Sequence, residues 1–398
     1  MDKAKFTILS TVFIDVLGFG IVMPVLPFYV QTFGMGPFMM TLLFAVFSFF
    51  SFFSSPFLGA LSDKIGRRPI LIVSIISSAI GWLVFAGANS VIMLFAGRII
   101  DGLAAGNITT AQSYLVDIAK DEKERTANLG LIGMIFGIGF VVGPFLGGFL
   151  AQVSYSFPFW FVGFLSLANV VFAFWFLPET HINRSSAKKL NFNPLAPIMR
   201  AMNNRVLRPA YGVWLLFVLA VSLGQAIFSL YLFARFGFEE FTAGLVMAGI
   251  GLVVAFNQGF AMKKIWLRYF KEHHLGIWVL LFGAFGYLLY AIDGIIIFFI
   301  GVAISAFAQS ILRVVLTSQA IGLAMHNERG EILGILNSVA SIGMIFGPLA
   351  AGIAFERSVN LPMYSSALIL FIAFCLALYN RRQLDKSKLS EVASVNTL

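Results

Sequence analysis

Four charged side chains lie deep inside otherwise apolar stretches of this sequence: Asp15, Arg98, Asp101 and Arg313. A charge at the centre of a membrane helix costs about 2.5–3.5 kcal/mol on insertion scales, so each should face a partner or a wet cavity. A carboxyl group in such a place is a natural proton carrier, because desolvation favours its neutral form and a nearby arginine its charged form. Asp15 and Asp101, with Arg98 beside the latter, are therefore the candidate proton-coupling residues. A structural reading stays open for each. Arg98 and Asp101 fit an i, i+3 pair, Asp15 fits a helix-packing residue bonded to a backbone amide, and Arg313 fits an ion-pair partner.

Polar residues recur at helical spacing around these charges. Arg98, Asp101, Gly102, Ala105, Thr109 and Gln112 would share one face of a continuous helix, and Gln309, Arg313 and Thr317 one face of another. Arg313, Gln225, Asn257, Gln258, Gln309, Thr109, Gln112 and Asn337 are the candidate substrate contacts. Gln225, Asn257, Gln258 and Asn337 equally fit hydrogen bonds between helices. His181, His273, His274 and His326 fall in or beside loops, and the single Cys375 lies in the last apolar run, so neither a metal site nor any cofactor is expected. Asn107-Ile-Thr109 matches a glycosylation sequon only inside an apolar stretch, where it has no such meaning.

The elements that must hold these residues follow from composition. Of 398 residues, 59% are hydrophobic and 11% charged, too few charges to cover a soluble domain of this size. Apolar runs long enough to cross a bilayer recur throughout. They predict an all-α polytopic protein with spans at about 6–30, 37–60, 70–88, 92–116, 127–151, 157–177, 209–233, 241–262, 274–292, 295–322, 331–355 and 361–380. The first span carries Asp15, Pro24 and Pro27 without a small-residue cleavage site and reads as a retained helix.

All but four of the 27 Lys and Arg fall at one set of connections. The exceptions are Arg98 and Arg313, inside spans, and Arg235 and Arg357, on the opposite side. That asymmetry puts both termini in the cytoplasm. It also accounts for the net charge of +9 as an orientation signal rather than a nucleic-acid surface.

The polar stretch 178–208 divides the chain into bundles 1–177 and 209–380, followed by a cytoplasmic tail 381–398. The halves repeat. ERTANLGLIGMIFGIGFVVGPFLGG from Glu124 aligns without gaps on ERGEILGILNSVASIGMIFGPLAAG from Glu328, matching Arg125 with Arg329, Gly139 with Gly343 and Gly143-Pro144 with Gly347-Pro348. Parallel six-helix repeats describe a secondary transporter with its site between the halves. No GxxxxGK[ST] loop is present, so ATP hydrolysis is not expected of this chain.

Four motifs carry a resemblance. GALSDKIGRRP, from Gly59 to Pro69 with Asp63, Gly66, Arg67 and Arg68, resembles the signature loop of the major facilitator superfamily. RIIDGLAAG, from Arg98, is similar to that family's span-4 motif, and GFVVGPFLGG, with Gly139, Gly143, Pro144 and Gly148, to the glycine-proline motif of its exporters. DVLGFGIVMPVLP, from Asp15, resembles the first span of twelve-span drug–proton antiporters such as the tetracycline exporters. Lys263, Leu267 and Phe270 replace Gly59, Asp63 and Gly66 in the second-half copy of the loop, and Val254 stands where the tetracycline exporters carry a span-8 histidine.

The resemblance implies two pseudo-symmetric six-helix bundles, spans 1, 4, 7 and 10 lining a cavity, and a gate built from the signature-loop and glycine-proline residues together with Asp117 and Arg125. It implies no enzyme. The expected function is proton-coupled export of a small amphipathic compound by alternating access, from a monomer in the lipid bilayer of the inner membrane. Its partners are then the substrate and protons. Asp15 and Arg313 each lie roughly 14 Å from the cytoplasmic end of their spans at 1.5 Å per residue, so they could meet. The cationic Arg313 keeps an alternative open, a transporter of an anionic metabolite such as a siderophore or organic acid.

Overall fold

The computed structural model describes residues 3–103, 105–180, 195–204, 207–322 and 329–395. Most of the connection 178–208 (with His181, Arg184, Lys188, Lys189 and Arg205), His326 and the last residues of the tail lie outside the described residues. Among the described residues the regular structure is entirely helical, and twelve helices are long and apolar enough to cross a membrane.

The first six spans are Lys3–Gln31, Pro37–Ile65, Arg67–Ala86, Val91–Asp117, Glu122–Ala151 and Phe157–Phe176. The second six are Arg208–Phe236, Glu240–Tyr269, Glu272–Tyr290, Ile295–Gly322, Glu331–Arg357 and Leu361–Arg381. Each expected span is present. Spans 1, 2, 3, 5, 7 and 8 run three or more residues beyond the apolar run at one end, because helical bonding continues past the hydrocarbon boundary, while spans 3, 6 and 9 end one or two residues early. A short helix, Ala196–Asn203, precedes span 7, and the helix of span 12 continues to Val395.

By its contacts the chain divides into two compact units. One holds Met1–Pro194, Gln225–Ala255 and Pro348–Val359; the other holds Leu195–Gly224, Phe256–Gly347 and Asn360–Leu398. Spans 7, 8 and 11 thus each contribute to both. Within the first unit, Ile8, Val12, Leu71, Ile75, Tyr114, Leu115 and Ile132 form a core at the end that carries the N-terminus. At the other end, spans 7, 8 and 11 pack on spans 1, 5 and 2. Ser229 Oγ donates to Pro24 O at 2.9 Å, and Phe38 N donates to Glu356 Oε1 at 3.2 Å.

The repeated glycines explain the helix contacts. A Cβ on Gly143 would lie 2.8 Å from Gly20 Cα, one on Gly139 would strike Val16, and one on Gly148 would meet the backbone of Glu240 and Phe241. The second unit repeats the arrangement with Gly343 against Val218 and Gly347 against Ser222. Small residues let backbones approach where lipid supplies no hydrophobic drive. Pro144 withholds an amide from Phe140 O, and that carbonyl faces Gly251 of span 8. Gly143→Ala should cost about 1–3 kcal/mol by overpacking and lower the thermal midpoint in detergent. Gly137→Ala, with open space at its Cβ, should leave it unchanged.

Span 4 is not one continuous helix. It consists of Val91–Leu103 and Asn107–Asp117, with a turn through Gly106. Irregular backbone in a membrane survives only where other groups satisfy it. Here span 2 does so: Ser54 Oγ donates to Gly102 O and Ser55 Oγ to Ala105 O, both at 2.7 Å. Gly106 admits the Leu58 side chain where a Cβ would clash.

Candidate functional site

The break in span 4 divides the face expected to run from Arg98 to Gln112. Arg98, Asp101 and Gly102 are buried in the first helix, whereas Thr109 and Gln112 in the second are exposed. The shared face assumed continuous α-helical phasing, which the turn interrupts.

The first helix of span 4 lies so close to span 3 that a Cβ on Gly81 would meet Asp101 N, and one on Gly97 would meet Phe85. This packing places Arg98 against an aromatic wall. Its guanidinium carbon sits 4.7 Å from the Trp82 ring centre and 4.4 Å from that of Phe85. Arg98 Nη1 is 3.6 Å from Asp101 Oδ2, a loose ion pair. Arg98 Nη2, also buried, has no hydrogen-bond partner among the described residues.

Immediately past the break, the buried Asn107 donates from Nδ2 to Asp15 Oδ1 at 3.3 Å. Asp15 is half-buried and lies within electrostatic reach of Asp101. The structure therefore brings Asp15, Asp101 and Arg98 into one network in the first unit, with Asn107 as a member that the sequence offered only as a false sequon. Chemically, this is a pair of interacting carboxyl groups, one backed by a stacked arginine and the other by an amide. Removing a proton from either changes the field at the other.

The signature loop forms a second cluster. Arg67 Nη1 contacts Asp63 Oδ1 and donates to Ser62 Oγ at 2.7 Å, while Arg67 Nε donates to Asp117 Oδ2 at 3.1 Å. Arg68 Nη2 donates to Phe174 O at 2.7 Å. The member missed from sequence is Glu179, in the PET that ends span 6. Its carboxylate accepts from Arg67 N at 2.9 Å and Arg68 N at 3.3 Å, seated on the positive end of span 3.

Gly66 makes room for that carboxylate and adopts φ +116°, a conformation that favours glycine. Gly59 makes no such close approach, for nothing lies within 4 Å of its Cβ position. Arg125 is exposed, with no ion pair among the described residues.

The candidate substrate contacts separate. Gln225 is half-buried and donates from Nε2 to Met23 Sδ at 3.3 Å. Asn257 is fully buried, donates to Ser310 Oγ on span 10 and accepts from Trp266 Nε1 on its own span, while its neighbour Gln258 is exposed. Gln309, Arg313 and Thr317 do share an uninterrupted helix. Gln309 Nε2 donates to the Tyr287 hydroxyl at 3.2 Å, and Arg313 is exposed without an ion pair among the described residues. Asn337 is exposed. An apolar groove of about 740 Å³ lies on spans 9 and 12, walled by Phe282, Phe285, Tyr364 and Phe371, apart from all of these residues.

Comparison with known proteins agrees with this architecture. A sequence profile of the Major Facilitator Superfamily matches residues 8–272. The chain is 26% identical over 395 residues to the quinolone resistance protein NorA of Staphylococcus aureus (strain MRSA252), covering 98% of this chain and 99% of that one. It is 28% identical over 367 residues to the class C tetracycline resistance protein of Escherichia coli, covering 90% and 91%.

Among solved structures, it resembles an inward-facing, unoccupied bacterial homolog of the human lysosomal transporter Spinster. The TM-score is 0.78 at 15% identity, covering 96% of this chain and 98% of that one. The human organic anion transporter MFSD10 (TETRAN) gives a TM-score of 0.71 at 23% identity, covering 94% and 99%. With twelve spans, an internal repeat and a profile match over most of its length, the chain is a multi-pass membrane transporter, not an enzyme, and belongs to the major facilitator superfamily.

Proposed function

We propose that this transporter exports a small amphipathic, drug-like compound in exchange for protons. The observation that carries the reading is a pair of carboxyl groups in apolar spans, Asp101 held by Arg98 and Asp15 by Asn107, with the charge of Asp101 felt at Asp15. The names of its relatives, quinolone and tetracycline resistance proteins, support export of drugs.

Asp101 and Asp15 carry the proton, and alternating access moves the bundles 1–177 and 209–380 about a midplane cavity with Arg313, Gln225, Gln258 and Gln309 near the substrate. The cluster of Asp63, Arg67, Asp117 and Glu179 latches the gate on the side of the termini. The distribution of basic residues supports an orientation with both termini in the cytoplasm, in a protein that crosses the inner membrane and works as a monomer.

Arg313 favours one second reading, an anionic substrate, since it is a cation without an ion pair among the described residues. One experiment addresses both. In everted vesicles holding an imposed pH gradient, a cationic drug that carries no carboxylate should discharge the gradient, and Arg313→Ala should do so equally well. Discharge by an organic acid alone, abolished in Arg313→Ala, would establish the anionic reading instead. No discharge by either class of compound would sink proton exchange.

A further inference from the structure

Span 8 changes register midway. Glu240–Phe256 is α-helical, Asn257–Trp266 is π-helical, and Leu267–Tyr269 returns to α. The chain leaves the first unit for the second at Ala255–Phe256, one residue before the register changes. π-helix is rare, usually a single turn, and frequent at functional positions. Ten residues of it require a specific cause.

Two side chains nine residues apart supply it. Trp266 Nε1 donates to Asn257 Oδ1 at 2.6 Å, and Asn257 Nδ2 donates to Ser310 Oγ on span 10. Ser310 Oγ itself donates to Phe307 O at 2.8 Å, which fixes its lone pairs toward Asn257. At 3.6 residues per turn, positions nine apart are two and a half turns apart and lie on opposite faces of an α-helix. With i→i+5 bonding, at about 4.4 residues per turn, they are about two turns apart and lie on one face.

Burial follows the wider period. Asn257, Ala261 and Met262 are buried and Trp266 half-buried, whereas Phe260 and Lys264 are exposed. An α-helix continued from Asn257 would bring positions 260 and 264 onto the buried face instead.

We propose that Trp266 and Ser310 are positioning residues that hold the second half of span 8 in the π register through Asn257, and that this register gives way to α in another step of the transport cycle. Over ten residues the two registers differ by roughly half a turn. Release therefore swings Lys263, Lys264 and Arg268 around the span and takes Asn257 off its anchor. The lock is a statement about span 8 alone; its role in the cycle rests on the transporter reading above.

The test uses the full chain in liposomes, with Cys375, the free cysteine, replaced by Ser and nitroxide labels placed singly at positions 258–265. Mobility and quencher access should repeat about every 4.4 residues, with 260 and 264 accessible and 262 immobilised. In Trp266→Phe, which keeps the ring and loses the donor, and independently in Ser310→Ala, the pattern should move to a 3.6-residue period with 264 immobilised. Efflux should fall roughly tenfold, about 1.4 kcal/mol on the barrier.

A 3.6-residue period in the parent protein would overturn the lock, as would a pattern unmoved by both substitutions. A moved pattern with undiminished efflux would overturn its role in the cycle. A parent protein that shows the π period but exports no drug would count against the proposed drug–proton exchange and the role, leaving the lock itself supported.

Discussion

Asp101→Asn should uncouple transport from the proton gradient. Asn keeps the size of the side chain but takes up no proton, and it gives Arg98 no counter-charge. Efflux in the parent protein should grow with the imposed pH difference; in the variant it should stay flat and lie at least about tenfold lower, the effect of about 1.4 kcal/mol on a rate barrier. Exchange of labelled for unlabelled substrate at equal pH should persist, because that reaction moves no net proton. Asp15→Asn should behave in the same way, since the charge of Asp101 reaches Asp15. Gradient-driven efflux at the parental level in both variants would exclude them as proton carriers.

Arg98→Ala should have the largest effect on stability of any single substitution in the network. It leaves Asp101 buried without its counter-charge, which in comparable buried pairs costs about 3–5 kcal/mol. It also removes the guanidinium stacked on Trp82 and Phe85, a contact of about 0.5–2 kcal/mol. Arg98→Lys should recover only part, because an ammonium restores the charge without the planar stack. Arg98→Ala combined with Asp101→Asn should be less destabilised than the sum of the two single variants, since the orphaned charge is gone. Thermal midpoints of the four proteins in one detergent read this cycle directly. Strict additivity would mean that Arg98 and Asp101 are neighbours without mutual support.

Much of the fold was legible because a bilayer leaves the backbone few choices. Peptide groups in hydrocarbon must bond within their own helix, so a run of apolar side chains and a span are nearly the same object. The number and order of the spans followed from this, and the glycine repeat read from the sequence reappears as like contacts of Gly139 and Gly143 in one unit and Gly343 and Gly347 in the other. Of the site, the buried charges themselves stood out, for the cost of placing Asp15, Arg98 and Asp101 in an apolar run is a property of the sequence.

What only the tertiary structure decided is where neighbours distant in the chain replace a local rule. The turn at Gly106 is supported by Ser54 and Ser55, which take up the carbonyls of Gly102 and Ala105 from 48 and 50 residues away, and it is that turn which brings Asn107 to Asp15. Glu179 reaches the start of span 3 from 112 residues away, and Asn257 holds its π register through Ser310, 53 residues on. Hydropathy reports how much each residue gains by leaving water and is blind to which polar group waits on the next helix. The sequence by itself therefore settled the number of spans and the presence of buried charges, while the partner of each charge, and the breaks in helical register that bring partners together, were settled by packing.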